Sequence, residues 1–167
     1  MQSLIGDKLI KRTGEEGSYQ IAEMNFDQFP SCDYVCFYFG AHWAPPSRIF
    51  TTTLIEKFYN VVNEGSKRAE VIFVSDDREK SHFDRNFLKM PWWGIPFEDE
   101  HKKQTLKSKF GLLDLPTLVV VSTKDCRVVT HEGREHIPNG MRALDEWAAI
   151  VEQQKNDGFN KPEETKV

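Results

Sequence analysis

Cysteine is the residue type in this chain with the widest range of chemistry, because a thiolate acts both as a nucleophile and as a metal ligand. The 167 residues include three cysteines, Cys32, Cys36 and Cys126. The number is odd and no Cys-x-x-Cys spacing occurs, so neither a disulfide framework nor a four-ligand zinc site is predicted. Cys32 and Cys36 stand four residues apart, which is about 13 Å in extended chain and too far for a local bridge.

The surroundings of each cysteine predict little reactivity. Cys36 lies within a continuous apolar run, where a buried and neutral thiol is expected. Cys126 lies in a short polar stretch that predicts a turn, so it could be exposed and open to oxidants. Nothing in the sequence places Cys32 or Cys126 beside a group that would activate a thiol.

Histidine offers a second kind of chemistry, but the five histidines do not form a metal-binding pattern, and no metal or other cofactor is predicted. His42 differs from the others because it directly precedes Trp43 and could bring positive charge there at low pH. A plain surface position remains the simpler interpretation. The Ser47 hydroxyl and the amides of a helix N-terminus could hold an anion. The five histidines are His42, His82, His101, His131 and His136.

The composition predicts a single globular domain and argues against two classes of partner. The chain has 22 basic and 26 acidic residues, a formal net charge of −4 and no block of five basic residues, so nucleic-acid binding has little electrostatic support. No apolar stretch reaches the ~18–20 residues of a membrane span, and no secretory signal pattern is present. We therefore expect a cytoplasmic domain over residues 1–155, without membrane contact, followed by a polar, flexible tail over residues 156–167.

Hydrophobic patterning places the elements that would carry these side chains. Residues 34–40 form a continuous apolar run typical of a central strand that is covered on both faces. A helix is predicted to open at Pro45 and to end at Gly65, since its apolar residues fall on one helical stripe. A second buried strand over residues 69–74 completes a β-α-β unit, which requires a parallel pair.

The second half of the sequence predicts helices followed by a hairpin. Asp76 and Asp77 are candidate caps for a helix with an apolar inner face, and a mostly polar helix follows over residues 99–110. Strands over residues 117–121 and 127–130 form an antiparallel hairpin, and Asn139 is expected to cap the last helix. The predicted fold class is α/β, with a mixed central sheet and helices on both faces.

Three motifs in these elements resemble the tryparedoxin/nucleoredoxin branch of the thioredoxin superfamily. Residues 37–48 read Phe-Tyr-Phe-Gly-Ala-His-Trp-Ala-Pro-Pro-Ser-Arg and are similar to that family's strand leading into Trp-Cys-Pro-Pro-Cys-Arg. Residues 89–97 resemble its Met-Pro-Trp…Pro-Phe loop, and residues 115–117 resemble its cis-proline segment. The resemblance extends over residues 4–152 and implies a thioredoxin-like fold.

The departures from this family pattern concern its two catalytic positions, where the resemblance aligns Ala44 and Ser47 with the family's cysteines. The first cysteine attacks as a thiolate that the helix N-terminus acidifies, and the second resolves the mixed disulfide. Alanine has no nucleophilic atom, and no base is evident that would activate the serine hydroxyl. The chain as written is therefore expected not to be a dithiol–disulfide enzyme.

Laboratory replacement of the two cysteines remains an alternative to natural loss. The flanking residues also differ from the family, which commonly has serine at the position of His42, glycine at that of Ile49 and Thr-Pro at Thr51 and Thr52. An engineered variant usually keeps its flanks, so these differences favour natural loss. The native codons for residues 44 and 47 would decide between the two.

A thioredoxin-like site without cysteines could still bind an extended peptide, because main-chain pairing beside a cis-proline needs no sulfur. We therefore predict a redox-inactive protein-binding or regulatory module. One alternative is an oxidoreductase in a cysteine-replaced form; a second is a structural subunit that assembles through exposed aromatics around Trp92. Trp92 and Trp93 are adjacent, so one is expected in the core and one partly exposed. The predicted groove residues are Trp43, Pro45, Pro46, Leu115, Pro116 and Trp92.

Overall fold

Seven strands form one mixed sheet in the computed structural model, which describes residues 1–159. The spatial order is β2-β1-β5-β4-β3-β6-β7. This arrangement is the predicted α/β fold with a mixed central sheet. The strands are β1 Lys8–Thr13, β2 Gln20–Asn25, β3 Tyr34–Gly40, β4 Ala69–Ser75, β5 Trp93–Gly94, β6 Thr117–Ser122 and β7 Val128–Thr130.

The central strand β3 sets the direction of its neighbours. It pairs in parallel with β4, with Tyr34 opposite Ala69 and Gly40 opposite Ser75. On its other side it pairs antiparallel with β6, with Tyr34 opposite Ser122. All seven residues of β3 are buried, as a strand covered on both faces requires. The chain leaves β3 at the carboxyl end of the strand and continues directly into the Trp43 motif, which therefore lies at one end of the sheet.

Helices cover both faces of this sheet, as predicted. The helix that opens at Pro45 runs without interruption to Val62, but residues 54–59 of it form a π-helix, which the apolar stripe did not indicate. The segments are α1 Gln2–Ile5, α2 Pro45–Thr53, the π segment Leu54–Tyr59, α3 Asn60–Val62, α4 Lys80–Phe87, α5 Glu100–Phe110, α6 Gly133–His136 and α7 Met141–Phe159; 3₁₀ turns occur at Phe26–Gln28 and Ile137–Asn139.

Two apolar layers form the core, one on each face of the sheet. The even-numbered β3 side chains Cys36 and Tyr38 face the layer that contains Phe58 and Trp147, under the helix over residues 45–62 and α7. The odd-numbered side chains of β3 face the layer under α1 and α5, where Phe110 packs 5.2 Å from Phe37 between ring centroids. Alternation along one strand thus assigns each residue to one layer.

Two predicted helix caps are wrong: the one at Asp76 and Asp77, and the one at Asn139. The Asp77 and Asn139 side chains form hydrogen bonds with other partners instead. The helix after β4 begins after Glu79, and Asp77 instead accepts hydrogen bonds from the His42 amide and the Ser75 hydroxyl. Asn139 donates to Glu146. The helix predicted over residues 99–110 begins one residue later, at Glu100; Asp99 is its cap, and a left-handed Gly111 follows its last residue.

Both tryptophans of the Trp92-Trp93 pair are buried, so the expectation that one would be partly exposed is wrong. The reason is that β5, a two-residue strand inside the predicted loop, inserts between β1 and β4 and gives this segment cover on both faces. The last helix extends to Phe159, four residues into the predicted tail, and residues 160–167 lie outside the described residues. Across residues 1–159, no helix has the length and apolar character needed to cross a membrane.

Candidate functional site

The loop that joins β3 to α2 carries the Trp43 motif, and a buried tyrosine anchors it. The Tyr38 hydroxyl donates a 2.8 Å hydrogen bond to the Ser47 carbonyl and lies 2.8 Å from Thr51 Oγ1. Burial raises the pKa of Tyr38 to about 12, so the phenol keeps its proton at neutral pH. Through Tyr38, strand β3 thereby holds the first turn of α2 in place.

The two positions that the resemblance assigns to cysteine lie at the start of this helix. Ala44 precedes α2 directly and is 7% exposed, and two prolines occupy the first two helical positions. Ser47 is buried, and its hydroxyl oxygen has no hydrogen-bond partner among the described residues. The side chains at these positions are therefore a methyl group and an enclosed alcohol.

The three cysteines lie away from this helix end. Cys36 is in the middle of β3, about 13 Å of extended chain before Gly40. Cys32 precedes β3, at the opposite end of the sheet from the motif. Cys126 is exposed in the turn between β6 and β7, which also falls at that opposite end because β6 runs antiparallel to β3.

Burial disfavours the thiolate at two of these cysteines. Loss of solvation raises the pKa of Cys32 to about 11, and it raises the pKa of the fully buried Cys36 well above the usual range. The Cys32 thiol also donates to the Tyr34 carbonyl at 3.3 Å. Burial therefore favours the neutral thiol at both positions, and the burial predicted for Cys36 is confirmed.

Trp43 forms one wall of an open groove. Its side chain is 56% exposed, and its indole N–H donates to the Asp76 carbonyl at 3.1 Å. The carboxylate of Asp76 forms an ion pair with Lys107 of α5. This chain of contacts fixes the indole beside a cavity of about 320 Å³, which is lined by Trp43, Ala44, Asp76, Lys107, Leu112, Leu113, Asp114 and Leu115.

The opposite wall is the segment that the sequence identified as a cis-proline motif. The Leu115–Pro116 peptide bond is cis, and Leu115 lines the cavity. Neither the amide nor the carbonyl of Leu115 is hydrogen-bonded to another group of the described chain. Arg134 donates to the Pro116 carbonyl at 3.4 Å, which ties the far side of this bond to α6. Leu115 therefore keeps a main-chain donor and a main-chain acceptor that no described group uses.

The structure brings some predicted groove residues together and separates others. Trp43 and Leu115 face the same cavity, whereas Pro45 and Pro46 are exposed on the first turn of α2 outside it. Pro116 is buried and lines a neighbouring cavity of about 220 Å³. Trp92 does not belong to the groove: its ring lies in the core, 5.4 Å from that of Tyr59 between centroids.

Five of the lining residues were not predicted as groove residues: Asp76, Lys107, Leu112, Leu113 and Asp114. Leu113 is 97% exposed, which is rare for a leucine, and it lies in the loop between α5 and the cis-proline. A Leu-Leu pair between Gly111 and Asp114 was the one available signal. Asp76 and Lys107 could not be paired from sequence, because they are 31 residues apart and meet only through the fold.

His42 lies beside the groove in a crowded basic environment. Its backbone carbonyl accepts a 2.7 Å hydrogen bond from Arg48, and its ring centroid is 5.6 Å from that of His82. Loss of solvation, followed by the Arg48 charge, lowers the pKa of His42. Its Nδ1 is enclosed without a hydrogen-bond partner among the described residues. Within residues 1–159, no three His, Cys, Asp or Glu side chains cluster as metal ligands would.

Comparison with known proteins gives one family and a consistent set of relatives. A model of the thioredoxin-like family matches residues 32–128. Nucleoredoxin of Danio rerio is 39% identical over 106 residues, which cover 64% of this chain and 25% of that protein. The chain spans about a quarter of the length of the curated relatives it matches.

Solved structures give the same picture at the level of the fold. Tryparedoxin II of Crithidia fasciculata superposes with a TM-score of 0.68 at 31% identity, covering 81% of this chain and 88% of the other. Tryparedoxin I of Leishmania major superposes with a TM-score of 0.66 at 31% identity, covering 81% of this chain and 86% of the other.

Proposed function

Because the chain belongs to the thioredoxin-like family, in its tryparedoxin/nucleoredoxin branch, we propose that it is a redox-inactive binding module. Its partner would be an extended segment of another protein, held in the groove between Trp43 and Leu115. The proposal covers this domain alone, since the matched region spans only about a quarter of the length of its nucleoredoxin relatives.

One observation carries the proposal: a methyl group occupies the position before α2 at which a thiol exchanger needs a thiolate. Ala44 supplies no nucleophile, and the enclosed Ser47 hydroxyl has no base beside it in the described contacts. The sheet also holds the three cysteines at its centre or at its other end. Dithiol exchange requires two thiols within bonding distance of each other and of the substrate, and this site provides neither.

The groove nevertheless keeps the groups that main-chain recognition uses. The unpaired amide and carbonyl of Leu115 could pair with an extended backbone, in the manner of strand addition. The exposed indole of Trp43 offers a rigid apolar surface, and tryptophan is enriched among residues that dominate binding energies. These features support recognition of a peptide with at least one large apolar side chain.

The two alternative functions have less support. An oxidoreductase in cysteine-replaced form differs from the proposal only in the native codons at residues 44 and 47. A structural subunit assembled through exposed aromatics around Trp92 loses its basis, because Trp92 and Trp93 are both buried. The cytoplasmic location remains part of the proposal, since three free cysteines suit a reducing compartment, and imaging of the tagged native protein would test it.

Reduction of insulin disulfides by dithiothreitol tests the redox part of the proposal. We expect the chain to give the same rate as a reaction without protein, and turnover above that rate would overturn redox inactivity.

Restoring both thiols with Ala44→Cys and Ser47→Cys should give measurable activity, because the start of α2 that acidifies a thiol is retained. Inactivity of this double variant in folded form would show that the groove no longer accepts such substrates.

Selection from a phage-displayed peptide library tests the binding part. The matched variants are Trp43→Ala, which removes a groove wall, and Ile49→Ala, which removes an apolar side chain that is 71% exposed outside the cavity. We expect enriched peptides to bind the native chain and Ile49→Ala alike and to bind Trp43→Ala at least about tenfold more weakly. No enrichment, or equal binding to all three proteins, would contradict a peptide-binding groove here.

A further inference from the structure

A second cavity, of about 410 Å³, lies between the helix over residues 45–62 and α4. It shares no lining residue with the Trp43 groove and has a different character, because most of its lining side chains are polar. The lining residues are Arg48, Thr51, Thr52, Ile55, Glu56, Asn86 and Lys89.

Asn86 is the feature of this cavity that points to a ligand. The residue is only 4% exposed, yet its side-chain amide neither donates nor accepts a hydrogen bond within the described part of the chain. Its amide atoms are not enclosed by protein, so they remain accessible from the cavity and free to bond a molecule held there. The neighbouring lining residue Thr51 differs, because its hydroxyl is already engaged with Tyr38 and Ser47. The Asn86 amide is left facing the cavity that it lines.

The charges around the cavity favour an anion. Arg48 and Lys89 both line it, and neither forms an ion pair with a described carboxylate. Arg48 uses one N–H on the His42 carbonyl and retains the rest of its guanidinium for a ligand. Both cations contribute to the lowered pKa of His42, so their fields add at this end of the molecule. Glu56 is the one carboxylate in the lining, and it leaves an excess of one positive charge.

The helix that forms one wall changes its winding at this cavity. Thr51 and Thr52 lie in the last turn of α2, while Ile55 and Glu56 lie on the π segment that follows. π-helical turns are rare, and they occur frequently at functional sites. The altered winding, the unpaired amide and the two cations thus coincide at one place.

We propose that this cavity binds a small polar molecule through a carboxylate or phosphate group. Arg48 and Lys89 pair with the anion, and the Asn86 amide donates a hydrogen bond to the same ligand. Glu56 disfavours a bare anion and suits a ligand that also carries an amine or hydroxyl donor. The site does not depend on the Trp43 groove, so its failure would leave the proposed function intact.

Nuclear magnetic resonance titration of the side-chain amide of Asn86 tests the site. Inorganic phosphate is the probe in one arm and acetate in the other, with ionic strength held constant by chloride. We expect saturable shifts in at least one arm, and the tighter arm identifies the anion class. Lys89→Gln should weaken that binding about tenfold or more, as loss of a charge-assisted hydrogen bond does, and Glu56→Gln should strengthen it.

Matched charge changes outside the cavity separate a site from general electrostatics. Lys57→Gln on the π segment and Arg85→Gln on α4 alter the net charge equally, are exposed and do not line the cavity. Both should leave the affinity unchanged. Shifts that never saturate, or an effect of Lys57→Gln as large as that of Lys89→Gln, would overturn the proposal. The isosteric Asn86→Asp should abolish binding of either probe, and its retention of affinity would count equally against the site.

Discussion

At the scale of single residues, the three cysteines differ in how deeply the fold buries them. Cys126 is exposed, Cys32 is half-buried with its pKa raised to about 11, and Cys36 is fully buried. A raised pKa lowers the fraction of reactive thiolate at any neutral pH. The sequence could predict the burial of Cys36 from its apolar neighbours. It could not predict the burial of Cys32, which depends on contacts distant in sequence.

We predict that iodoacetamide at pH 8 modifies Cys126 first and leaves Cys32 and Cys36 largely unmodified in the native protein. Mass spectrometry of timed samples measures the order, and denaturant provides the control in which all three cysteines react. Modification of Cys32 as fast as that of Cys126 would contradict the burial described here.

The lowered pKa of His42 gives a second prediction, which concerns pH. The unfolded chain takes up a proton at the ordinary histidine value of about 6.5, while the folded chain resists it because of lost solvation and the Arg48 charge. Below about pH 6.5 the unfolded state therefore binds more protons than the folded state, so the free energy of unfolding falls as the pH drops below this value. At higher pH, His42 has no effect on the free energy of unfolding.

Chemical denaturation of the native chain and His42→Gln at pH 5 and pH 8 measures this contribution. We expect the variant to lose less stability on acidification than the native chain. His101→Gln, an exposed change on α5, is the control and should behave like the native chain. An unchanged pH dependence in His42→Gln would rule out the effect.

At the scale of elements, the sequence predicted the strands with continuous apolar runs best. The bounds of β3 agree to the residue, since burial on both faces leaves a continuous apolar run whose β-branched and aromatic residues favour a strand. The two-residue β5 and the π segment were not predictable in this way. A strand of two residues has no period, and a π turn keeps the same apolar stripe as the α-helix around it.

One element supports the groove from a distance, which leads to a third prediction. Lys107 of α5 holds the Asp76 carboxylate, and the Asp76 carbonyl holds the Trp43 indole. We expect Lys107→Met to loosen this chain of contacts and to increase quenching of Trp43 fluorescence by acrylamide. The cost in stability should stay below about 1 kcal/mol, as for other partly exposed ion pairs.

The three other tryptophans are buried or nearly so, so a change in quenching reports mainly on Trp43. Lys109→Met is the matched control, because Lys109 is exposed on the same helix. Equal quenching in both variants would show that the ion pair does not fix the indole.

At the scale of the whole molecule, the site combines segments that the sequence could identify only in part. Trp43 and the cis-proline were predictable because their motifs resemble those of the tryparedoxin/nucleoredoxin family. The exposure of Leu113 and the burial of Trp92 depend on which loops cover which face of the sheet. Which side chains the loops bury depends on the complete fold, so it cannot be predicted from a local sequence pattern.

The separation of groove from core predicts opposite effects of two tryptophan substitutions. Trp92→Leu removes aromatic contacts with Tyr38 and Tyr59 from a fully enclosed site and should cost about 3 kcal/mol of unfolding free energy. Peptide affinity should change little, because Tyr38 still packs against Phe50 and still donates to the Ser47 carbonyl. Trp43→Ala loses one hydrogen bond at an exposed position and should cost about 1 kcal/mol, while affinity falls steeply. Urea denaturation and peptide titration of both variants measure the two quantities, and a variant that lost both to the same extent would show that groove and core are not independent.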